Sequence, residues 1–444
     1  MRVGIIGGGA TGLSAAYDLA KLGHRVSIYE KNDFLGGHAS TFNINGTPIE
    51  RGYHHWFTSD NSVIELCEEL DIGDVIRWIP STVGTLYDNH IYDFVTPWDL
   101  LRYKPLSLQN RIKLGLSSLK IQRLKNWKSI ESETAVKWLK NNVGIQVYEA
   151  FWGPMLRGKF GEAHYEEVGM AWVWGKMNTR FASRRHPLSK ELLGYPIGSF
   201  KKLFDVLAEK IAAMHGEINL STGVSQITTD AEQVTGMKIE VDGRITHEKF
   251  DVVIASTPSH IFDALTDGLS EEYSQRLHGI PYMSAVLLIL TLDRPLSDKY
   301  WLNIADRKIP FVGVIEHTNL IDASHYGGNH IVYLSNYLTR DSKYYSMSQD
   351  ELLDAYIPHI AKINPHFDKK WIREVHHHKI DGAQPIIGPN YSDKMPSHDT
   401  GIKHLYLANT SQIYPEDRGV NYNVRIARQV VRYLCEDLRI DYRQ

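Results

Sequence analysis

Arg2-Val3-Gly4-Ile5-Ile6-Gly7-Gly8-Gly9-Ala10-Thr11-Gly12 decides the fold. Arg2 to Ile6 reads as a short buried strand, an apolar run that stops at glycine. Gly7, Gly9 and Gly12 then satisfy G-x-G-x-x-G. Leu13 to Lys21 has helical character, with Ala15, Ala16, Leu19 and Ala20 small or apolar enough to lie close on a sheet, and Gly23 ends it. Arg25 to Tyr29 is a second strand, with Glu30 at its carboxyl end and Lys31 next. Gly7 permits the tight turn, Gly9 lets backbone approach a pyrophosphate, and Gly12 lets helix and strand pack closely. The N-terminus of this helix offers free N–H groups and partial positive charge to phosphates. Glu30, eighteen residues past Gly12, stands where a carboxylate accepts hydrogen bonds from a ribose.

The glycine motif alone does not choose between nicotinamide and flavin dinucleotides. Asp33-Phe34-Leu35-Gly36-Gly37-His38 adds a second glycine pair directly after the acid. A strand (Ser40 to Ile44), an Asn45-Gly46 hairpin turn and a return strand (Thr47 to Arg51) lead into Gly52-Tyr53-His54-His55-Trp56-Phe57. This arrangement resembles the flavoprotein superfamily of monoamine oxidases, protoporphyrinogen oxidases, phytoene desaturases and UDP-galactopyranose mutases. His38 stands where that superfamily usually has Arg, and Arg51 where Asp or Glu is common. The resemblance implies FAD as cofactor and an α/β fold: a Rossmann-like FAD-binding domain with a discontinuous α+β substrate domain. It places the FAD domain at 1–75, 195–275 and 396–444, and the substrate domain at 76–194 and 276–395.

Two later passes match the same frame. Tyr195-Pro196-Ile197-Gly198-Ser199-Phe200 is similar to the superfamily's Tyr-Pro-x-Gly-Gly entry and precedes a helix over Lys201 to His215. Gly216 to Leu220 and Thr222 to Ile227 read as strands, and the resemblance makes Val224 an adenine clamp through its backbone. Phe250 to Pro258 is a buried strand ending in a Ser-Thr-Pro turn. In the last pass His404 to Ala408 is a strand, Asn409-Thr410 replaces the usual Gly-acid pair, and Gly419 precedes a helix from about Asn421 to Leu438. Asn409, Gly419, Val420 and Asn421 thus complete the cofactor set Gly7, Gly9, Ala10, Thr11, Gly12, Glu30, Lys31, Gly36, Gly37, His38 and Val224. N–H groups at this helix start would stabilise negative charge on a reduced ring.

Between the passes, Arg102 to Lys128 holds eight Lys or Arg and no acid, with Leu108, Ile112, Leu116 and Leu119 at helical spacing. A basic amphipathic helix suits an anionic membrane surface as well as it suits a solvated face over a core. Tyr148 to Gly161 resembles the superfamily's Pro-Leu-x-x-Gly-x-aromatic-Gly segment, and Ala171 to Met177 adds aromatics for a pocket or for packing. Pro281 to Leu292, Tyr300 to Ile304 and Phe311 to Asn319 read as strands of a pocket floor, with Glu316, His317 and Asn319 as polar groups that could face substrate. His376, His377 and His378 would point to alternating faces of a strand, so no metal site is expected.

The net charge of −3 excludes a strongly basic nucleic-acid binder, and Cys67 and Cys435 are too few for a disulfide framework. No segment reaches the ~20 apolar residues of a membrane-spanning helix. A cytoplasmic enzyme with at most peripheral membrane contact through 102–128 is expected, acting on a small molecule. One dinucleotide fingerprint implies no second, nicotinamide site. The expected reaction removes hydride from an organic, apolar substrate, in the manner of a desaturase or oxidase. His54, His55, Tyr414 and Arg418 are the catalytic candidates, a histidine of near-neutral pKa serving as proton shuttle. A UDP-galactopyranose mutase-like isomerase is the alternative, with Arg157, Arg180, Arg184 and Arg185 available to grip a diphosphate.

Overall fold

The computed structural model describes the whole chain except Arg185, Pro187, Leu188, Ala231, Arg443 and Gln444. The opening stretch forms the strand Arg2–Ile6, the helix Ala10–Lys21 and the strand Arg25–Tyr29. Arg2–Ile6 lies at the centre of a five-stranded parallel sheet in the order Glu217–Asn219, Arg25–Tyr29, Arg2–Ile6, Val252–Ala255, Leu405–Leu407. Three separate stretches of chain therefore build one sheet. All its strands but Glu217–Asn219 bury their apolar positions, as expected of a parallel sheet covered on both faces.

The helix Ala10–Lys21 can lie close to the sheet because Gly12 has no side chain: a Cβ there would sit 2.0 Å from the Gly7 carbonyl oxygen. The helix Val420–Asp437 packs beside it, tied by Thr11 Oγ1 donating to Asn423 Oδ1 at 3.0 Å. An antiparallel meander of Gly223–Asp230, Gln233–Val241 and Arg244–Lys249 flanks the sheet. The predicted hairpin forms as Thr41–Ile44 and Thr47–Glu50.

The second sheet has seven strands in the order Ile372–Pro385, Tyr282–Leu292, His330–Leu338, Gly313–Glu316, Trp301–Ile304, Val83–Tyr87, His90–Asp93. Alternation along its strands divides two cores. Ile331, Tyr333 and Tyr337 face the main core and the hairpin. Val332 and Leu334 face a second core closed by the helix Gln349–Ile360. Phe311 to Asn319 departs from the sequence reading: only Gly313–Glu316 is strand, and His317–Asn319 is a 3-10 turn. Their polar groups do not face a pocket. Glu316 is fully buried and accepts from the Leu296 and Ser297 N–H groups, His317 bonds Tyr326, and Asn319 donates to the Ser297 and Lys299 carbonyls.

The basic stretch is helical, as its spacing implied. Its helix, Leu108–Arg123, buries Leu114, Ser117 and Ile121. Leu108, Ile112, Leu116 and Leu119 point outward, 44 to 61% exposed. Among the described residues no helix is long and apolar enough to cross a membrane.

Candidate functional site

The glycine turn fits a dinucleotide. Gly9 pairs with Gly36 across the second glycine pair, and a Cβ on Gly9 would approach the Gly37 backbone. Gly36 and Gly37 both take positive φ, at 101° and 54°, so the turn needs glycine for its conformation as well as its space. Gly9 caps the Ala10–Lys21 helix without a side-chain hydrogen bond, and Gly419 does the same for Val420–Asp437. Two helix N-termini with unsatisfied N–H groups therefore stand side by side, an arrangement that suits the anionic and electron-rich parts of FAD. Glu30 accepts from Gly8 N–H at 2.8 Å and from Asn32, and Thr222 and Ser221 donate back to the Glu30 and Asn32 carbonyls. Those last bonds bring the start of the Val224 strand to the ribose acid. Lys31 is exposed beside it.

Other candidates are held differently. Asn409 spends its amide on Thr257 O and Ser259 Oγ and its Oδ1 on Ser411, so its side chain builds the turn itself. Asn421 Oδ1 accepts from the buried Val63 N–H. Tyr414 packs on Trp127 and Tyr391 with its hydroxyl near Glu131, a setting distinct from those of His54 and Arg418.

Gly52 leads into three residues set among aromatic rings. Tyr53, His54 and His55 lie deep in the molecule, yet each keeps accessible surface. The two histidines diverge. His54 Nδ1 bonds the Gly52 carbonyl at 2.5 Å, and its ring lies toward Phe200 and within the field of Arg418 and His38. His55 Nδ1 bonds Tyr300 Oη at 2.9 Å and stands near Glu191, Arg180 and Lys176. Burial pushes His54 down to about 3 and His55 to about 4; His38, desolvated and beside Arg418, falls to about 4. Desolvation lowers all three imidazoles below the near-neutral value a shuttle would need and favours their uncharged form.

Charge near these rings comes from Arg418, a candidate of the sequence reading, and from Lys159, Lys176 and Asp417, which that reading did not single out. Arg418 Nη2 lies 3.2 Å from Tyr337 Oη, and its Nε donates to Gln384 at 3.1 Å. Lys159 Nζ is 3.5 Å from the same phenol and 3.4 Å from Asp417, which Lys176 also meets at 2.9 Å. Tyr53 Oη bonds Ser335 at 3.2 Å and approaches Tyr337 at 3.5 Å. Burial would raise the Asp417 carboxyl, but Lys159, Lys176 and Arg418 overcome it and hold the group well below the carboxylate range. Burial likewise raises Tyr337, and Lys159 and Arg418 outweigh it, bringing the phenol down to about 8. Lys159 and Lys176 fall inside the two aromatic segments noted in the sequence; nothing there distinguished them from solvated lysines.

The arginines proposed for a diphosphate are engaged elsewhere. Arg180 forms a two-pronged pair with Glu191 at 2.9 and 3.0 Å, Arg184 donates to the Val95 and Ser189 carbonyls, and Arg157 is buried between Glu149 and Glu162. Arg185 lies outside the described residues. His376 and His378 share the Phe42 face of their strand, bonded to Glu374 and Arg51 respectively.

Comparison with known proteins bears on the same frame. The family described as flavin containing amine oxidoreductase matches residues 10–416. A 15-cis-phytoene desaturase of an Oncidium hybrid cultivar is 24% identical over 435 residues, covering 92% of this chain and 73% of the relative. An oxidoreductase from Methanosarcina mazei superposes with a TM-score of 0.74 at 20% identity, covering 97% of this chain and all of that one. A reduced UDP-galactopyranose mutase superposes with a TM-score of 0.74 at 15% identity, over 98 and 96% of the two chains. At such identities the two structures share the fold.

Proposed function

The chain belongs to the flavin containing amine oxidoreductase family, and we propose that, as an FAD-dependent enzyme of that family, it oxidises an organic substrate with a largely apolar body. FAD supplies a two-electron acceptor when bound. The observation that carries the reading is the pairing of two uncapped helix N-termini with a cluster of neutral aromatic rings around Tyr53 and His55. Tyr53 meets Trp301 and Tyr333 edge to face, with centroids 5.0 and 6.0 Å apart, and His55 meets Tyr300. Such surroundings favour an apolar body over a strongly polar one.

Each segment has a distinct part in this reading. Gly7 to Gly12 and the Ala10 helix start hold the cofactor diphosphate, Glu30 the ribose, and Val224 the adenine. Gly419, Val420 and the helix they open face the electron-rich end of the ring. His54 and His55, uncharged, orient substrate through hydrogen bonds, each with one ring N–H as donor. The prior engagement of Arg157, Arg180 and Arg184 favours oxidation over nucleotide-sugar isomerisation.

The outward Leu108, Ile112, Leu116 and Leu119, joined by Trp98 at 63% and Leu101 at 40% exposure, form with the surrounding cations a face for an anionic bilayer. Apolar side chains enter the acyl boundary while Lys and Arg meet headgroups. A substrate dissolved in lipid would then reach the site without crossing water.

The test is anaerobic mixing of the FAD-loaded protein with polyenes and amines, following flavin absorbance. Bleaching by one class supports the reading. No bleaching by any of them, together with nucleotide-sugar interconversion after chemical reduction, would overturn it.

A further inference from the structure

We propose that Lys159, Arg418 and the hydroxyl of Tyr337 form a subsite for an anionic group, a carboxylate or a phosphate, carried by the substrate. The proposal rests on the oxidoreductase reading above and adds the class of head that the apolar body bears.

Five separate stretches converge on this point: Tyr53 after the hairpin, Lys159 on the helix Gly153–His164, Tyr337 on the strand His330–Leu338, Gln384 on the strand Ile372–Pro385, and Asp417-Arg418 before the last helix. Among the described residues the cluster contains one carboxylate, Asp417, against the cations Lys159, Lys176 and Arg418. The two lysines share that single carboxylate, so three cations less one carboxylate leave an excess of two positive charges. The side chains of Lys159 and Lys176 are only 18 and 28% exposed, so solvent compensates them little. Unmatched desolvated cations are costly to a fold and are kept where an anion arrives to match them.

The parts suit an anion. Arg418 is fixed by Gln384 through Nε and keeps Nη2 on Tyr337, so its planar fork is already oriented. Lys159 is a movable point charge lying 4.7 Å over the Tyr337 ring. Asp417 is a positioning residue that holds both lysines. The diphosphate of the cofactor has its own cradle at Gly7 to Gly12 and does not answer these charges. The phenol of Tyr337, drawn below the ordinary tyrosine range, reports the positive potential that the anion would meet.

The experiment uses the FAD-loaded protein and no turnover, so it can fail independently of the oxidation assay. Inorganic phosphate, pyrophosphate and hexanoate are titrated in turn at constant ionic strength, read by the flavin difference spectrum and by heat. Saturable binding of at least one is expected, weakened about tenfold or more in Lys159→Met and unchanged in Lys201→Met, whose lysine is surface-paired with Asp205. Preference for phosphate or for carboxylate identifies the head group. A second readout follows Tyr337 by carbon-13 NMR of ring-labelled tyrosine, assigned with Tyr337→Phe. Its midpoint should rise on anion saturation and in Lys159→Gln, since both weaken the field. Lys159, Arg418, Asp417 and Tyr53 are the titratable or charged groups facing that phenol. Above its midpoint the phenolate takes the anion's place, so affinity should fall about tenfold per pH unit. No saturable binding of any of the three anions, or binding indifferent to both Lys159 variants, would overturn the proposal.

Discussion

At the scale of single residues, two side-chain positions carry testable consequences. At Gly12 a Cβ would lie 2.0 Å from the Gly7 carbonyl oxygen, so Gly12→Ala must push the helix from the strand it opens upon. FAD retention, read as the ratio of flavin to protein absorbance after gel filtration, is expected to fall about tenfold or more. Glu50 is the other. It is fully buried and accepts from Tyr195 Oη and Phe200 N–H, and among the described residues no cation is paired with it. Burial pushes its carboxyl from 4.5 up to about 7. Between those values the folded chain keeps a proton that the unfolded chain has lost, so stability falls as pH rises through that window. Glu50→Gln removes the titration and keeps an acceptor for Phe200. The loss of unfolding free energy between about pH 5 and about pH 8 should shrink by on the order of 3 kcal/mol in urea titrations. A variant whose pH dependence matches the parent would refute the assignment. None of this was legible in the sequence, where Glu50 is an unremarked hairpin residue; its burial depends on Tyr195 and Phe200, some 150 positions away.

Among the elements, the last helix and the basic helix show opposite relations to their surroundings. Val420–Asp437 is locked to the first helix through Thr11–Asn423 and to the Asn61–Glu69 helix through Asn421 and Val63. Asn421→Ala leaves the buried Val63 N–H unpaired and is expected to cost about 1–3 kcal/mol, measured by denaturant midpoint. Leu108–Arg123 instead turns four apolar side chains to solvent. Ile112→Glu with Leu116→Glu should change stability by no more than about 0.5 kcal/mol each. The same pair should abolish sedimentation with vesicles containing phosphatidylglycerol, and parent binding should weaken with salt. Vesicle binding that survives both changes would remove this face from consideration. Helical spacing was readable in the sequence, but period alone does not say which of two stripes, Leu114-Ser117-Ile121 or Leu108-Ile112-Leu116-Leu119, meets the core.

Over the whole molecule, the cofactor frame joins three distant stretches of chain into one sheet. A ligand that touches all of them binds the folded state and not the unfolded one. FAD at about a thousandfold over its dissociation constant is expected to add about 4 kcal/mol, seen as a rise in melting temperature absent from Gly12→Ala. Equal melting with and without FAD would count against the frame.

What the sequence by itself determined was the cofactor frame and its α/β architecture. The strand, glycine turn, helix, strand and acid of residues 2–30 are adjacent in the chain, and their chemistry is local: positive φ, close approach and free N–H groups depend on neighbours within a few residues. Tertiary structure alone decided the site. It separated His54 from His55, withdrew Arg157, Arg180 and Arg184 into ion pairs and carbonyl bonds, and gathered Lys159, Tyr337 and Arg418 from positions far apart in sequence. A side chain's charge state and direction depend on what is packed against it, and for these residues that packing comes from other strands and helices.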